Sequence, residues 1–176
     1  MQVAIRLVTE NDAPALADLL ASNREGMAPW EPVRQDAYFT EAGQREVLCE
    51  ILDRYARGQA QPCVILVDEV VAGRMTLSNV VRGPFLSASL GYWVGQDHRG
   101  RGVATAAVGE VLRLAFADLG LHRVEASTLL ANAASRRVLA KNGFTEIGVA
   151  PRYLQIAGRW QDHLLHQRLA ADPDGC

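Results

Sequence analysis

The sequence has few cysteines, and none of them lies in a metal-binding or disulfide pattern. Its three cysteines, Cys49, Cys63 and Cys176, form no C-x-x-C pair and have no zinc-ligand spacing with the four histidines. We therefore predict no metal site. An odd number of scattered thiols is more typical of a reducing cytosol than of an oxidising compartment, where small domains are held by paired disulfides.

The chain also lacks long apolar runs and a strong excess of either charge. No apolar stretch approaches the roughly 18–20 residues that a transmembrane helix needs, and charge interrupts the N-terminus too early for a signal peptide. The net charge of −2 offers no electrostatic reason for nucleic acid to be the main ligand. We expect a cytoplasmic protein with no membrane or nucleic-acid partner.

What remains is the composition of an ordinary globular protein. Hydrophobic residues make up 49% of the 176 positions and charged residues 22%, which suits one domain with a substantial core. We predict a single domain over residues 1–170 and a loose tail over residues 171–176. No internal repeat or interdomain linker is visible in the sequence.

Hydrophobic periodicity predicts seven strands and four helices. Alternating and short apolar runs predict strands at 2–8, 63–67, 70–77, 86–95, 124–129, 144–155 and 160–169. Three- and four-residue spacings with end signals predict a helix that starts near Thr9 and helices at 39–58, 102–119 and 133–141. Residues 25–37, in which Trp30 lies between two prolines, are expected to form a loop.

The order β-α-α-β-β-β-α-β-α-β-β predicts an α/β fold in which helices cover both faces of a mixed sheet. Parallel pairing is expected only in the strand–helix–strand unit over residues 86–129. A change from antiparallel to parallel pairing opens a crevice beside the strand ends. We expect the ligand to bind in that crevice.

The turn between that strand and that helix has the features of an anion site. It reads Asp97-His98-Arg99-Gly100-Arg101-Gly102-Val103-Ala104-Thr105, and its glycines allow a sharp turn with the backbone close to a ligand. The helix N-terminus that follows leaves about four N–H groups without intrahelical partners and carries roughly half a positive charge. Arg99 and Arg101 add positive charge, so the turn is predicted to bind a diphosphate. Its spacing matches neither a P-loop nor a dinucleotide fingerprint.

Two segments resemble the cofactor motifs of the GNAT acetyltransferases. Arg99-x-x-Gly102-x-Ala104 is similar to their R/Q-x-x-G-x-G/A signature, and residues 132–144, which read NAASRRVLAKNGF, resemble their second cofactor segment. The likeness spans residues 3 to 169. Within the family the chain looks most like the ribosomal-protein-alanine N-acetyltransferase branch. The residues that carry this likeness are Gly91-Tyr92-Trp93-Val94, the pair Asn132 and Ser135, and residues 152–163.

The resemblance implies acetyl-CoA as the cofactor and suggests which residues bind it. The turn would bind the pyrophosphate, the strand edge would pair with the pantetheine arm, and Asn132 would hydrogen-bond that arm. Asn132 is equally well explained as a helix cap. The implied cofactor-binding residues are Tyr92, Trp93, Val94, Arg99, Gly100, Arg101, Gly102, Val103, Ala104, Thr105, Asn132 and Ser135.

Transfer of an acetyl group to an amine requires a neutral amine, a stabilised oxyanion and a proton for the departing thiolate. A backbone N–H near Val94 could stabilise the oxyanion. Residues 86–96 contain no Asp, Glu or His, which leaves Glu46, Asp162 and His163 as candidate bases. An α-amino group has a pKa near ~8 against ~10.4 for lysine, so it needs less help from a base. The lack of an obvious base therefore favours an N-terminal amine.

The proton donor to the thiolate also departs from the common family pattern. Many GNAT enzymes have a tyrosine in the second segment where this chain has Leu139, and the alanine-acetylating branch has a serine at the position of Ser135. We hypothesise that Ser135 is the catalytic residue that donates to, or orients, the coenzyme sulfur. A small helix residue that bonds to its own backbone explains Ser135 equally well.

The acceptor is predicted to bind between the Trp30 loop, the second helix and the last hairpin. Trp30, Tyr153, Trp160 and Asp162 are the expected substrate-binding residues, although aromatic residues are also typical of a core. The leading function is acetylation of a protein N-terminus, with a ribosomal protein as the target. Two alternatives stay open: acetylation of a small amine, such as a polyamine, an amino acid or an aminoglycoside, and a non-catalytic acyl-CoA-binding module. Exposed terminal strands could pair in a homodimer.

Overall fold

The computed structural model describes residues 1–171, which form a seven-stranded sheet covered by helices. The strands are β1 (Val3–Leu7), β2 (Gln61–Val67), β3 (Val70–Val81), β4 (Ser87–Val94), β5 (Arg123–Leu129), β6 (Thr145–Ile156) and β7 (Arg159–Leu169). The helices are α1 (Ala13–Met27), α2 (Glu41–Ala56), α3 (Val103–Arg113) and α4 (Ala133–Lys141). The tail predicted at 171–176 lies outside the described residues from position 172 onward.

The strands lie in the order β1-β2-β3-β4-β5-β7-β6. Every neighbouring pair is antiparallel except β4 and β5, which are parallel and are joined through α3. This confirms the predicted mixed sheet and the single parallel pair in the 86–129 unit. The last two strands leave the chain order because β7 inserts between β5 and β6.

Strand β2 explains why the sheet needs helices on both faces. All seven of its residues are buried, and successive side chains of a strand point to opposite faces. Ile65 packs in a core with α3 and α4, whereas Val64 and Leu66 pack in a second core with α1 and α2. A strand that is apolar on both sides is typical of the middle of an α/β sheet.

The predicted loop at 25–37 is shorter in the structure than the sequence suggested. Helix α1 continues through Gly26 to Met27, and short 3₁₀ turns follow at Ala28–Trp30 and Asp36–Phe39. Pro29 does not break this path because proline is tolerated in the first turn of a helix, where its missing N–H has no intrahelical partner to lose. The segment that remains irregular, residues 31–35, follows directly after Trp30.

Two hairpin turns match the sequence prediction closely. Asp68 and Glu69 between β2 and β3 both have positive φ values, 48° and 67°, which suits the primed turns that join twisted antiparallel strands. Ala157 and Gly158 do the same between β6 and β7, with φ values of 50° and 78°. Within residues 1–171, no helix combines the length and the apolar character that crossing a membrane requires.

Candidate active site

A crevice opens where β4 and β5 stop pairing. Their parallel ladder covers only residues 87–89 of β4 and 123–125 of β5. Beyond it, β4 runs on to Val94 beside β3, and β5 runs on to Leu129 beside β7. In the described part of the chain, the two facing edges therefore have no ladder partner, and a cleft of about 860 Å³ lies between them.

The edge of β4 offers backbone donors to this cleft. The Gly95 N–H donates to the Ala72 carbonyl of β3 at 2.8 Å. Since successive residues of a strand direct their N–H groups to opposite sides, Val94 and Tyr92 present theirs to the cleft. An extended ligand with amide groups can pair with this edge as an added strand, as expected for a pantetheine arm. Trp93 directs its backbone to β3, and its side chain packs in the core with α1 and α2.

The predicted anion-binding turn leads into the N-terminus of α3 at one end of the same cleft. Gly100 and Gly102 have φ values of 70° and 82°, which L side chains rarely adopt, so the turn needs glycine at both positions. Among the residues that the structure describes, no side chain caps α3. Its first N–H groups are therefore free to bind an anion, in the manner of other helix N-termini. Gly102, Val103, Ala104 and Thr105 line the cleft, which fits a bound diphosphate.

The two arginines of the turn use their side chains differently from each other. Arg99 lines the cleft, and its Nε donates to the Val94 carbonyl at 3.3 Å. Arg101 is exposed, lies outside the residues that line the cleft, and donates to the Asp97 carbonyl at 3.4 Å. Direct contact of either guanidinium with a phosphate stays a prediction.

Asn132 and Ser135 begin α4 on the opposite wall of the cleft. The Asn132 side-chain oxygen accepts from the Ser135 N–H at 3.1 Å, so Asn132 does cap this helix. Its amide nitrogen makes no hydrogen bond within residues 1–171 and lies among the residues that line the cleft. The capping role and the expected contact with the pantetheine arm are therefore compatible.

The hydroxyl groups of Ser135 and Tyr92 meet across the cleft. The Tyr92 hydroxyl oxygen lies 2.8 Å from Ser135 Oγ. Burial raises the pKa of the Tyr92 phenol from its ordinary value of 10.0, and the contact with Ser135 offsets part of that rise. Leu139, at the position where other family members place a tyrosine, is fully buried in the core. A phenol therefore reaches this site from β4 and not from α4.

Sequence reasoning missed Glu31, which lines the cleft next to Trp30. Burial raises the pKa of its carboxyl group, and the nearby Arg34 and Arg74 guanidinium groups offset part of that rise. The Glu31 main-chain carbonyl accepts from the Ala157 N–H at 2.9 Å, which ties this loop to the β6–β7 turn. A carboxylate with a raised pKa in a cleft is suited to accept a proton.

The three candidate bases from the sequence lie in different places. His163 is buried and lines the cleft. Its Nδ1 lies 2.9 Å from the Gln161 carbonyl, which can only accept, so Nδ1 donates this hydrogen bond. Asp162 lies outside the cleft, and its carboxylate accepts from the Arg152 N–H at 2.9 Å. Glu46 is exposed on α2, outside the residues that line the cleft.

A second cavity adjoins the first on the side of the β6–β7 turn. It has a volume of about 580 Å³ and shares Trp30 and Leu129 with the cleft. Trp160 and Asp162 line this second cavity, whereas Tyr153 lies outside both and packs against His163 with ring centroids 5.7 Å apart. The structure thus brings three of the four predicted acceptor residues to one groove. Within residues 1–171, no group of three or more His, Cys, Asp or Glu side chains could hold a metal ion.

Known proteins share this fold and are similar in sequence. A family model described as an acetyltransferase (GNAT) domain matches residues 2–145. The [ribosomal protein uS5]-alanine N-acetyltransferase of Escherichia coli is 35% identical over 166 residues, which cover 93% of this chain and 86% of that protein. The crystal structure of ribosomal-protein-S5-alanine acetyltransferase from Vibrio fischeri is 32% identical, with a TM-score of 0.91 over 98% of this chain and 95% of that one.

A structure of Mycobacterium smegmatis RimJ in complex with CoA-disulfide is 35% identical and has a TM-score of 0.93. The match covers 96% of this chain and 82% of that one. The open edge of β4, the glycine turn and the α3 N-terminus together define an acyl-CoA-dependent transferase. The chain belongs to the GNAT acetyltransferase family. It is an N-acetyltransferase that uses acetyl-CoA as the acetyl donor.

Proposed function

We propose that this N-acetyltransferase acetylates the α-amino group of a protein N-terminus and that the target is a ribosomal protein. The observation that carries the proposal is the groove that continues from the cleft. Trp30 and Trp160, with exposed fractions of 42% and 62%, line it in company with Leu130. Large exposed apolar side chains in a groove are typical of a binding surface, and an extended peptide could run along it from the reacting amine.

The names of the relatives point to the same class of acceptor. The E. coli and V. fischeri proteins are named as alanine acetyltransferases of a ribosomal protein, and an alanine residue of a protein has a free amine only at the N-terminus. We infer a small first residue, alanine or serine, for the acceptor of this chain. The groove would then contact the second and later residues of the acceptor.

The chemistry of Glu31 also favours an α-amine. We infer that Glu31 accepts the proton from the attacking amine. An α-amino group has a pKa near ~8 and a lysine near ~10.4, so deprotonation of the α-amine requires about 3 kcal/mol less. A carboxylate whose pKa is raised only by burial is a modest base, and it suits the more acidic of these two amines.

The residues of the cleft divide between the two substrates. Bound acetyl-CoA supplies the thioester, and the Val94 N–H, which faces the cleft, would stabilise negative charge that develops on the thioester carbonyl oxygen. Ser135 would protonate the departing sulfur. The proposed donor site consists of Tyr92, Trp93, Val94, Arg99, Gly100, Arg101, Gly102, Val103, Ala104, Thr105, Asn132 and Ser135. The proposed acceptor site consists of Trp30, Trp160 and Asp162 in the groove, with the predicted Tyr153 outside both cavities and packed against His163.

Release of coenzyme A with a panel of amines tests the acceptor. The panel contains peptides that begin with Ala, Ser or Leu, the same peptides with a blocked N-terminus, free lysine and a polyamine. We expect Ala- and Ser-initiated peptides to give the highest kcat/KM and the blocked peptides to give none. Preference for the polyamine or for free lysine would contradict the proposal. If the protein binds acetyl-CoA tightly but releases no coenzyme A with any amine of the panel, it is a non-catalytic module.

The expected homodimer, the cytoplasmic location and the lack of a nucleic-acid partner stay predictions. The terminal strands of the sheet are β1 and β6, so a second copy of the chain would pair along one of them. Strand β6 is the longer of the two and is exposed along most of its length. Size-exclusion chromatography with light scattering would give the mass in solution and so test the dimer.

A further inference from the structure

Tyr92 and Ser135 form a pair that joins the two walls of the cleft. Tyr92 lies on β4 and Ser135 in the first turn of α4, 43 residues later, and their hydroxyl oxygens are 2.8 Å apart. Both residues line the cleft. Tyr92 packs at the edge of the core between the sheet and α3 and α4, so its ring is held in place while its hydroxyl reaches Ser135.

Either hydroxyl can donate this hydrogen bond, and the phenol is the better donor because it is a stronger acid than an aliphatic alcohol. Each hydroxyl has one proton to donate. Burial keeps the Tyr92 phenol protonated, and its contact with Ser135 Oγ, at 2.8 Å, is shorter than its contact with the Ser135 carbonyl oxygen, at 3.5 Å. When the phenol donates to Ser135 Oγ, the serine proton is left free to point into the cleft, where the coenzyme sulfur would lie.

The acid strengths of an alcohol, a phenol and a thiol explain why Ser135 needs a partner to protonate the coenzyme sulfur. An aliphatic alcohol is a far weaker acid than a thiol, so Ser135 alone could not give its proton to a thiolate without leaving an unfavourable alkoxide. A phenol has a pKa near ~10 and an alkyl thiol near ~8.5. Proton transfer from a phenol to a thiolate is therefore much closer to balanced, and a serine between them can carry it.

We propose that Tyr92 is a positioning residue that orients the Ser135 hydroxyl and replaces the proton that Ser135 gives to the coenzyme sulfur. The amine nitrogen bonds to the acetyl carbon, and as the bond between that carbon and sulfur breaks, its electron pair stays on sulfur, which takes the Ser135 proton. The Tyr92 phenol proton moves to Ser135 Oγ in the same step. The proton released from the attacking amine passes to Glu31, the proposed base, and water then returns a proton to the phenolate.

Because position 139 is a leucine, the phenol that reaches this site comes from Tyr92 on β4. Leu139 is fully buried and offers no hydroxyl, so α4 cannot supply a phenol to the sulfur. The hydroxyl of Tyr92 arrives at the same helix from the facing strand. The inference rests on the proposed role of Ser135 but not on the identity of the acceptor amine.

The variant Tyr92→Phe removes one oxygen and keeps the ring that packs in the core. With the best amine from the panel, we expect kcat to fall roughly 10- to 100-fold, at the lower end of general acid–base effects, while KM for acetyl-CoA changes less than about two-fold. The double variant Tyr92→Phe/Ser135→Ala should be no slower than Ser135→Ala, because both changes interrupt one proton route. Tyr55→Phe, an exposed tyrosine on α2, is the matched control and should leave kcat unchanged.

An unchanged kcat in Tyr92→Phe, or losses that multiply in the double variant, would overturn the role of Tyr92. Fluorotyrosine at position 92 gives a second readout that keeps the hydroxyl and the fold. Its more acidic phenol should make kcat decline at a lower pH than in the native protein, whereas a purely structural tyrosine predicts no such shift. Both experiments measure thiol release, so a wrong acceptor assignment appears only in the amine preference of the native protein.

Discussion

The Asn23 side-chain oxygen accepts a hydrogen bond from the Gln96 N–H at 2.6 Å, which links α1 to the turn that precedes Gly100 and Gly102, the glycines proposed to bind the diphosphate. Asn23 is buried, and its amide nitrogen donates to the Leu19 carbonyl at 2.8 Å. Both halves of the side chain are therefore used. This contact therefore fixes the helix that leads to the Trp30 loop relative to the turn proposed to bind acetyl-CoA.

Replacement of Asn23 by Ala should weaken donor binding. The Gln96 N–H would lose its partner in a partly buried site, at a cost of about 1–3 kcal/mol, and the turn would lose its anchor to α1. We expect KM for acetyl-CoA to rise several-fold and Tm to fall, which steady-state kinetics and thermal unfolding would measure. Asp18 is exposed on the same helix, and its side chain makes no hydrogen bond or ion pair within residues 1–171. Asp18→Ala is the control and should change neither value.

Gly102→Ala should damage donor binding through backbone strain. Gly102 has a φ of 82°, and a Cβ there would meet no atom within 4 Å, so the penalty is conformational, about 1–2 kcal/mol. Relief of that strain would move the N–H groups at the start of α3, and KM for acetyl-CoA should rise. Gly120 also has a positive φ and open space but follows α3 at its far end. Gly120→Ala should lose similar stability with an unchanged KM; equal KM effects would contradict the account of the turn.

Glu31→Gln separates the proposed base from a structural carboxylate. Loss of the base should lower kcat with a peptide acceptor by roughly 100-fold or more. With hydroxylamine as the acceptor, kcat should fall much less, because this amine is largely neutral at pH 7 and needs no base. Glu46→Gln, on the exposed side of α2, is the control for loss of a carboxylate and should be as active as the native protein.

Glu31→Gln should also raise the stability of the folded protein at pH 7, although it lowers kcat. The pKa of Glu31 is raised in the folded protein by burial, so the folded state binds the proton more tightly than the unfolded state does. The stability linked to this proton is present below the unfolded pKa, near 4.5, and is lost as pH rises through the folded pKa. Glu31→Gln should therefore be more stable than the native protein at pH 7 in urea unfolding, with the advantage gone near pH 4. Lower stability at pH 7 would show that the carboxylate supports the fold.

Trp160→Ala should weaken binding of the acceptor peptide and leave binding of acetyl-CoA unchanged. Trp160 is mostly exposed and lines the groove beside the cleft, so its loss should change Tm little. The KM for an Ala-initiated peptide should rise several-fold while KM for acetyl-CoA stays constant. Phe85→Ala removes a similarly exposed aromatic side chain between β3 and β4, outside both cavities. If both variants raise the peptide KM equally, the groove is not the acceptor site.

The donor side of the cleft could be predicted from the sequence because its signals are local. The turn at Gly100 and Gly102 lies directly between a strand and a helix. Neighbouring residues in the chain therefore determine its backbone geometry. The Asn132 cap is local in the same way, since it bonds to a residue three positions later. The parallel β4–β5 pair followed from the strand–helix–strand order.

The missed features depend on residues that are far apart in the chain. Glu31 enters the cleft because its loop is tied to Ala157, and Tyr92 meets Ser135 only when β4 and α4 are packed. The hydrophobic periodicity of a sequence does not indicate contacts between residues so far apart. Gly26, Pro29 and Pro32 predict a loop from residue 25, whereas helix α1 continues to Met27, whose side chain is buried in the packed protein.

The most direct test of the central claim uses one peptide with two competing amines. A peptide that begins with Ala and contains an internal lysine is incubated with the protein and acetyl-CoA, and tandem mass spectrometry locates the acetyl group. The account predicts acetylation of the N-terminal nitrogen and none on the lysine side chain at early times. Acetyl groups found first on the lysine nitrogen would contradict it.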